Sequence, residues 1–217
     1  MKLDCLRRIF SRHARLTDDI SYRPVDPEKD LDAAYQIFKK TISPSVMALN
    51  NGVWPEHERY PFFKKGFSEH GMYMLMHGRK PIGCFCITKL ELPHIDEPVV
   101  AIKTQQDTDE INARPKYQAV ILQRMYIEPD YQRHGIGTAI MKKALEKAHN
   151  EKLPLELEVL ANNDNAIAGY EKNGYRAYAL VTKDWNRKYL MRHKDTESYM
   201  PGNKPDVTPV QTHNTPR

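Results

Sequence analysis

Apolar positions recur in two periods along this chain, and the switches between them divide it into elements. Residues 20–23 read as a first strand ended by Pro24, and Asp26-Pro27 opens a helix whose apolar face is Leu31, Ala34, Ile37 and Phe38. Residues 42–69 mix prolines with Trp54, Tyr60, Phe62, Phe63 and Phe67, which predicts broken helix. A strand over 72–76, a turn over 77–81 and a partner strand over 82–90 make a hairpin. The stretch 91–118 is long for a hairpin connection, and its apolar island at 99–102 reads as an extension of the third strand. Residues 119–127 form a central strand. A helix over about 137–150 follows, with Ile136, Ile140, Met141, Leu145 and Ala148 at the spacing of one buried face. Next come a strand over 154–160, a short helix over 165–172 stopped by Asn173-Gly174, and a closing antiparallel pair over 175–181 and 188–192. The expected organisation is a basic leader over 1–18, one domain over 19–194 and a disordered tail over 195–217.

Composition narrows the class. The 217 residues suffice for one sizeable domain, and no apolar run approaches the roughly 18 residues that span a bilayer. Cys5, Cys84 and Cys86 show neither metal spacing nor a disulfide framework, so a reducing, cytoplasmic setting and no metal are expected. Of the net charge of +5, residues 1–16 supply +4, from five basic side chains less Asp4. The nearly neutral body gives no reason to expect nucleic-acid binding. The leader reads as a frayed basic segment, or as a short amphipathic helix on an anionic membrane without stable insertion.

Chemistry concentrates at Gln132-Arg-His-Gly135-Ile-Gly137-Thr138, where the central strand gives way to a helix. Two glycines one residue apart let the backbone turn tightly and aim several N–H groups at one point. The helix N-terminus adds partial positive charge, which suits a phosphate or pyrophosphate. The loop lacks both the third glycine of a dinucleotide fingerprint and the Gly-Lys-Ser/Thr ending of a nucleoside-triphosphate loop. One helix and one strand later comes Asn163-x-x-Ala166-x-x-x-Tyr170.

With both motifs in this order, the chain resembles the GCN5-related N-acetyltransferase (GNAT) superfamily from about residue 20 to 192. The resemblance implies a single α/β (mixed α+β) domain: a six- or seven-stranded mixed sheet with splayed central strands and helices on both faces. It implies acetyl-CoA as cosubstrate, its pantetheine arm paired with the backbone of Met125, Tyr126 and Ile127. Arg133, His134, Gly135, Ile136, Gly137 and Thr138 would hold the pyrophosphate, mostly through main-chain N–H groups, and Asn163 would contact the arm.

Acetyl transfer to an amine needs a neutral amine, a donor for the oxyanion and a proton for the departing thiolate. By its match to the family, Tyr170 is the expected general acid; a tyrosine packed on a short helix is the alternative. Strand alternation puts Glu156 and Glu158 on one face. Glu158 sits where some members carry a catalytic glutamate, and a solvated strand face is the other reading. Gln123, where other members place a glutamate, cannot take a proton. Residues 91–110 hold six acids against Lys103, a net −5 that suits a cationic acceptor or simply a solvated loop. Trp54, Phe62 and Phe63 would wall the acceptor site or belong to the core, and Cys84 and Cys86 read as packing.

The expectation is therefore an acetyl-CoA-dependent N-acetyltransferase working by direct transfer in a ternary complex. Its acceptor would be a small-molecule amine, a polyamine or a protein amine, and a homodimer is compatible with the sequence. A catalytically idle acyl-CoA-binding module of the same fold is the rival.

Overall fold

The structure, a computed structural model, describes residues 19–67, 71–183 and 186–201. The leader over 1–18 lies outside the described residues, as does the tail beyond 201. One mixed sheet holds β1 (Ile20–Pro24), β2 (Met72–His77), β3 (Lys80–Pro93), β4 (Val99–Ile102), β5 (Lys116–Ile127), β6 (Leu155–Leu160), β7 (Tyr175–Lys183) and β8 (Asn186–His193). Their spatial order is β1-β2-β3-β5-β6-β8-β7-β4. The α-helices are α1 (Pro27–Leu49), α2 (Glu56–Phe67), α3 (Gln105–Asn112), α4 (Ile136–Glu151) and α5 (Asp164–Lys172).

Each sheet face has its own core. On one, Ile136, Ala139, Ile140, Ala144 and Ala148 of α4 pack onto Phe85, Val120, Leu122, Leu155 and Leu157. On the other, Ala34, Tyr35 and Phe38 of α1 and Phe63 and Phe67 of α2 meet Met74, Cys84 and Cys86. The broken helix expected over 42–69 is two helices parted at 50–55, with α1 itself running through Pro44 to Leu49. An interior proline costs about 3 kcal/mol. Burying Tyr35, Ile37, Phe38 and Val46, at about 1.5–3 kcal/mol for a large side chain, outweighs that.

Three expectations need correction. The island at 99–102 does not extend the third strand; β4 pairs in parallel with β7, Val99 opposite Leu180 and Ile102 opposite Lys183, and makes an eighth strand at the far edge. The connection also contains α3, closed by a capping box in which Thr104 Oγ1 accepts from the Asp107 N–H at 3.1 Å and Asp107 returns the bond to the Thr104 N–H at 2.8 Å. No residue of α3 is buried, so it left no apolar period to read. Residues 195–201 are ordered rather than loose. Thr196 is fully buried, its Oγ1 accepting the Leu155 N–H at 2.9 Å, and Met200 packs on Tyr117, Ala119 and Ile121.

The feature that positions the site is the junction of β5 and β6. They pair in parallel only at Val120–Leu155 and Ile121–Glu156. Beyond, β5 stays with β3 and β6 with β8, so the two limbs diverge. A bulge between Cys84 and Cys86, opposite Arg124 with its positive φ of 56°, bends β5 along the way.

Candidate active site

The open end of the diverging strands leads into the glycine loop. After Ile127, Pro129–Tyr131 form one 3-10 turn, and Gln132 Nε2 donates to the Ile127 carbonyl at 2.8 Å. Arg133 (φ 63°) and Gly135 (φ 83°) both adopt the left-handed conformation on either side of His134. Gly135 is the N-cap of the 16-residue α4 and supplies no capping side chain. The first N–H groups of that helix therefore await an acceptor. Gln132, Arg133, His134 and Gly135 are exposed, Gly137 and Thr138 half-buried. Ile136 points its side chain into the core and offers only backbone.

Beneath the loop Glu128, 8% exposed, is held by Lys40 of α1 at 3.2 Å and Lys80 of β3 at 3.0 Å. Burial pushes its carboxyl upward, but the two ammonium groups prevail and leave it lowered. The acid is thus ionised and anchors α1 to the mouth of the cleft.

Tyr170 is delivered by α5, the helix after β6, and packs edge-on against Tyr175 with centroids 5.8 Å apart. Burial pushes its phenol up to about 12, so it stays protonated across the neutral range. It is also near enough to raise the Tyr126 phenol, whose larger cause is burial.

The two glutamates of β6 share a face, as alternation predicted, yet differ in state. Glu158 is half-exposed and ion-paired with Lys188 at 2.8 Å. Glu156 is 3% exposed and accepts from Tyr117 Oη at 2.6 Å, Tyr178 Oη at 2.7 Å and Arg192 Nε at 2.7 Å. Among the described residues, no hydrogen bond joins Glu158 to Tyr170. Asn163 spends its side-chain oxygen on the Ala166 N–H as N-cap of α5, at 3.4 Å.

The sequence profile of the acetyltransferase (GNAT) family matches residues 31–175. The chain belongs to this family. It is 32% identical over 82 residues to an uncharacterised N-acetyltransferase of Methanocaldococcus jannaschii, a match spanning 37% of this chain and 36% of that relative's length. Among solved structures, apo YjaB of Escherichia coli aligns with a TM-score of 0.54 at 15% identity, over 81% of this chain and 97% of that one. Arabidopsis thaliana NAA60 bound to a bisubstrate analogue gives 0.51 at 16%, over 80% and 98%. At such identities the likeness is one of fold.

For a GNAT protein the loop fits a diphosphate by its own geometry. Gly135 is required by its φ, and a Cβ there would meet nothing within 4 Å. Gly137 is different. A Cβ would meet Ile127 Cδ1 and Met125 Cε at an ordinary 3.8 Å, so internal packing does not demand glycine inside this helix. A ligand approaching from outside would.

The remaining candidates sort plainly. Phe63 is core, stacked on Phe38 at 4.9 Å; Trp54 sits half-buried beside Phe38; Phe62 is 61% exposed. Cys84 and Cys86 are fully buried, and burial pushes the Cys84 thiol up to about 12, the opposite of an activated nucleophile. The acids at 91–110 are partly spent locally, Glu97 on Arg114 at 2.6 Å and Asp107 on its cap. Sequence reasoning passed over Glu128 and the partners of Glu156. The usable signal for Glu156 was an acid inside an otherwise apolar strand.

Proposed function

We propose that this GNAT protein is an acetyl-CoA-dependent N-acetyltransferase that passes acetyl directly to a primary amine in a ternary complex. The observation that carries the reading is the divergence of β5 from β6 beyond Ile121–Glu156, with an uncapped helix N-terminus at its mouth.

Acetyl-CoA would supply the activated thioester. Backbone N–H groups of Arg133 to Thr138 would hold its diphosphate, and the free edge of β5 over Met125, Tyr126 and Ile127 would pair with its arm. An N–H on that edge would stabilise negative charge on the carbonyl oxygen, a contribution of about 2.7–4 kcal/mol for one such donor. As the amine nitrogen bonds to the carbonyl carbon and the C–S bond breaks, Tyr170 would give its proton to the sulfur. The ammonium proton would leave to Glu158, once freed from Lys188, or to water.

The test is thiol release from acetyl-CoA with polyamine, lysine-peptide and N-terminal-peptide panels. Release that depends on amine supports the reading. A melting temperature raised by CoA with no release on any panel would leave a binding module instead.

A further inference from the structure

Asn173 and Gly174 follow α5, and Tyr175 then opens β7 in ring contact with Tyr170. The two phenols differ in setting. Tyr170 is half-buried and packs on the core from its edge, whereas Tyr175 lies within the core and is 1% exposed. Two rings hold the Tyr175 ring edge-on: His193 at 5.0 Å and 86°, and Tyr170 at 5.8 Å and 63°. His193 is itself tied to the end of α5, its Nε2 donating to the Asn173 carbonyl at 2.9 Å. Ring packing and that anchor settle where Tyr175 sits, with no help from its hydroxyl.

The hydroxyl is left over. Tyr175 Oη is buried and finds no hydrogen-bond partner among the described residues. A buried hydroxyl in that state destabilises a fold, and phenylalanine would fill the same space without the penalty. Burial raises the Tyr175 phenol and the neighbouring Tyr170 raises it further, so it stays protonated and within electrostatic reach of Tyr170. An O–H that holds no bond can reorient without breaking one. It can therefore answer a charge that develops beside it. Tyr170 is where a charge would develop: on giving its proton to the departing sulfur it is left as a phenolate, until solvent returns a proton. Beside an apolar core, one dipole aimed at that oxygen counts for more than it would in water.

We propose that Tyr175 is a positioning residue for acyl transfer, its unpartnered O–H turning toward the Tyr170 oxygen and stabilising the phenolate formed as the thiolate is protonated. The proposal rests on the acetyl-transfer reading with Tyr170 as general acid. It gives a reason for a hydroxyl that the fold does not use.

Tyr175→Phe, which removes the hydroxyl alone, tests it. In stopped-flow thiol release with an amine that wild type turns over, kcat should fall about 10–100-fold. The KM for acetyl-CoA and the affinity for CoA should stay within about twofold of wild type. The ligand-free melting temperature should not fall, and is expected up to about 4 °C higher. In a Tyr170→Phe background the same change should cost nothing further in kcat, because the phenolate it serves no longer forms. Unchanged kcat in Tyr175→Phe, an equal loss in both backgrounds, or a lowered melting temperature would each overturn the proposal. The last would mean that the hydroxyl is bonded within the fold. A wild type that releases no thiol with any amine sinks the acetyl-transfer reading, and unchanged turnover in Tyr170→Phe alone sinks the acid; either takes this proposal with it.

Discussion

Ile121 and Glu156 face each other as the last parallel pair between β5 and β6, and the Glu156 side chain braces that vertex from below. Tyr117 of β5, Tyr178 of β7 and Arg192 of β8 converge on one carboxylate, so residues of four strands are tied where the backbone ladder is thinnest. Burial, then the neighbouring carboxylate, pushes the Tyr117 phenol up to about 12, and the same two causes raise Tyr178 further. Both stay donors. Glu156→Leu leaves the Arg192 guanidinium largely buried without its anion, and should cost about 3–5 kcal/mol in urea unfolding. A loss under 1 kcal/mol would mean that the vertex does not depend on the network.

Tyr170→Phe removes a proton but little volume. We expect kcat to fall about 100-fold with CoA affinity nearly unchanged, as for loss of a general acid. Because the phenol is held near 12, the wild-type kcat should show no basic limb from Tyr170 below about pH 11. Stopped-flow thiol release across pH checks both expectations, and unchanged turnover in the phenylalanine variant would remove Tyr170 from this role.

The two loop glycines should separate cleanly. Gly135→Ala meets a φ of 83° and should lose about 1–2 kcal/mol of stability without ligand. Gly137→Ala should match or exceed wild-type stability by up to about 1 kcal/mol, since alanine suits a helix better. It should nevertheless weaken CoA. Thermal melts with and without CoA read both effects, and full CoA affinity in the Gly137 variant would place the diphosphate elsewhere.

His193 gives the fold a pH dependence. It is 5% exposed, its Nε2 donating to the Asn173 carbonyl at 2.9 Å and its Nδ1 accepting from the Asp195 N–H at 3.2 Å. Burial lowers its pKa below the ordinary 6.5, against the pull of Asp195. The unfolded chain therefore binds this proton first as pH falls. The contribution is fully present above about pH 6.5 and is lost as pH drops through the lower folded value. Melting temperature should fall between pH 7 and 5 in wild type, and more shallowly in His193→Gln. Parallel slopes would assign the effect to other groups.

Much of this architecture was legible from local pattern. The glycine loop announced itself because left-handed turns and an uncapped helix start need particular residues at adjacent positions. The helix beginning at Ile136 and the hairpin of β2 with β3 followed from period. Element β4 was visible as an apolar island, but its partner was not, since an apolar tetrapeptide carries no address. Helix α3 escaped because a helix with no fully buried residue has no core stripe to impose a period.

The chain by itself determined where most strands and helices form and that the backbone turns tightly at Gly135 into a helix start, because propensity, capping and backbone conformation are settled by near neighbours. Only the tertiary structure decided what each polar side chain meets. Lys40 pairs with Glu128 across 88 positions, and Asn162 reaches Ser45 across 117. Of two glutamates two residues apart on one strand face, Glu156 is buried among three donors and Glu158 stands half-open beside Lys188. Such contacts depend on which strands diverge and which helix crosses between them, and that is a property of packing over long separations rather than of any local run of residues.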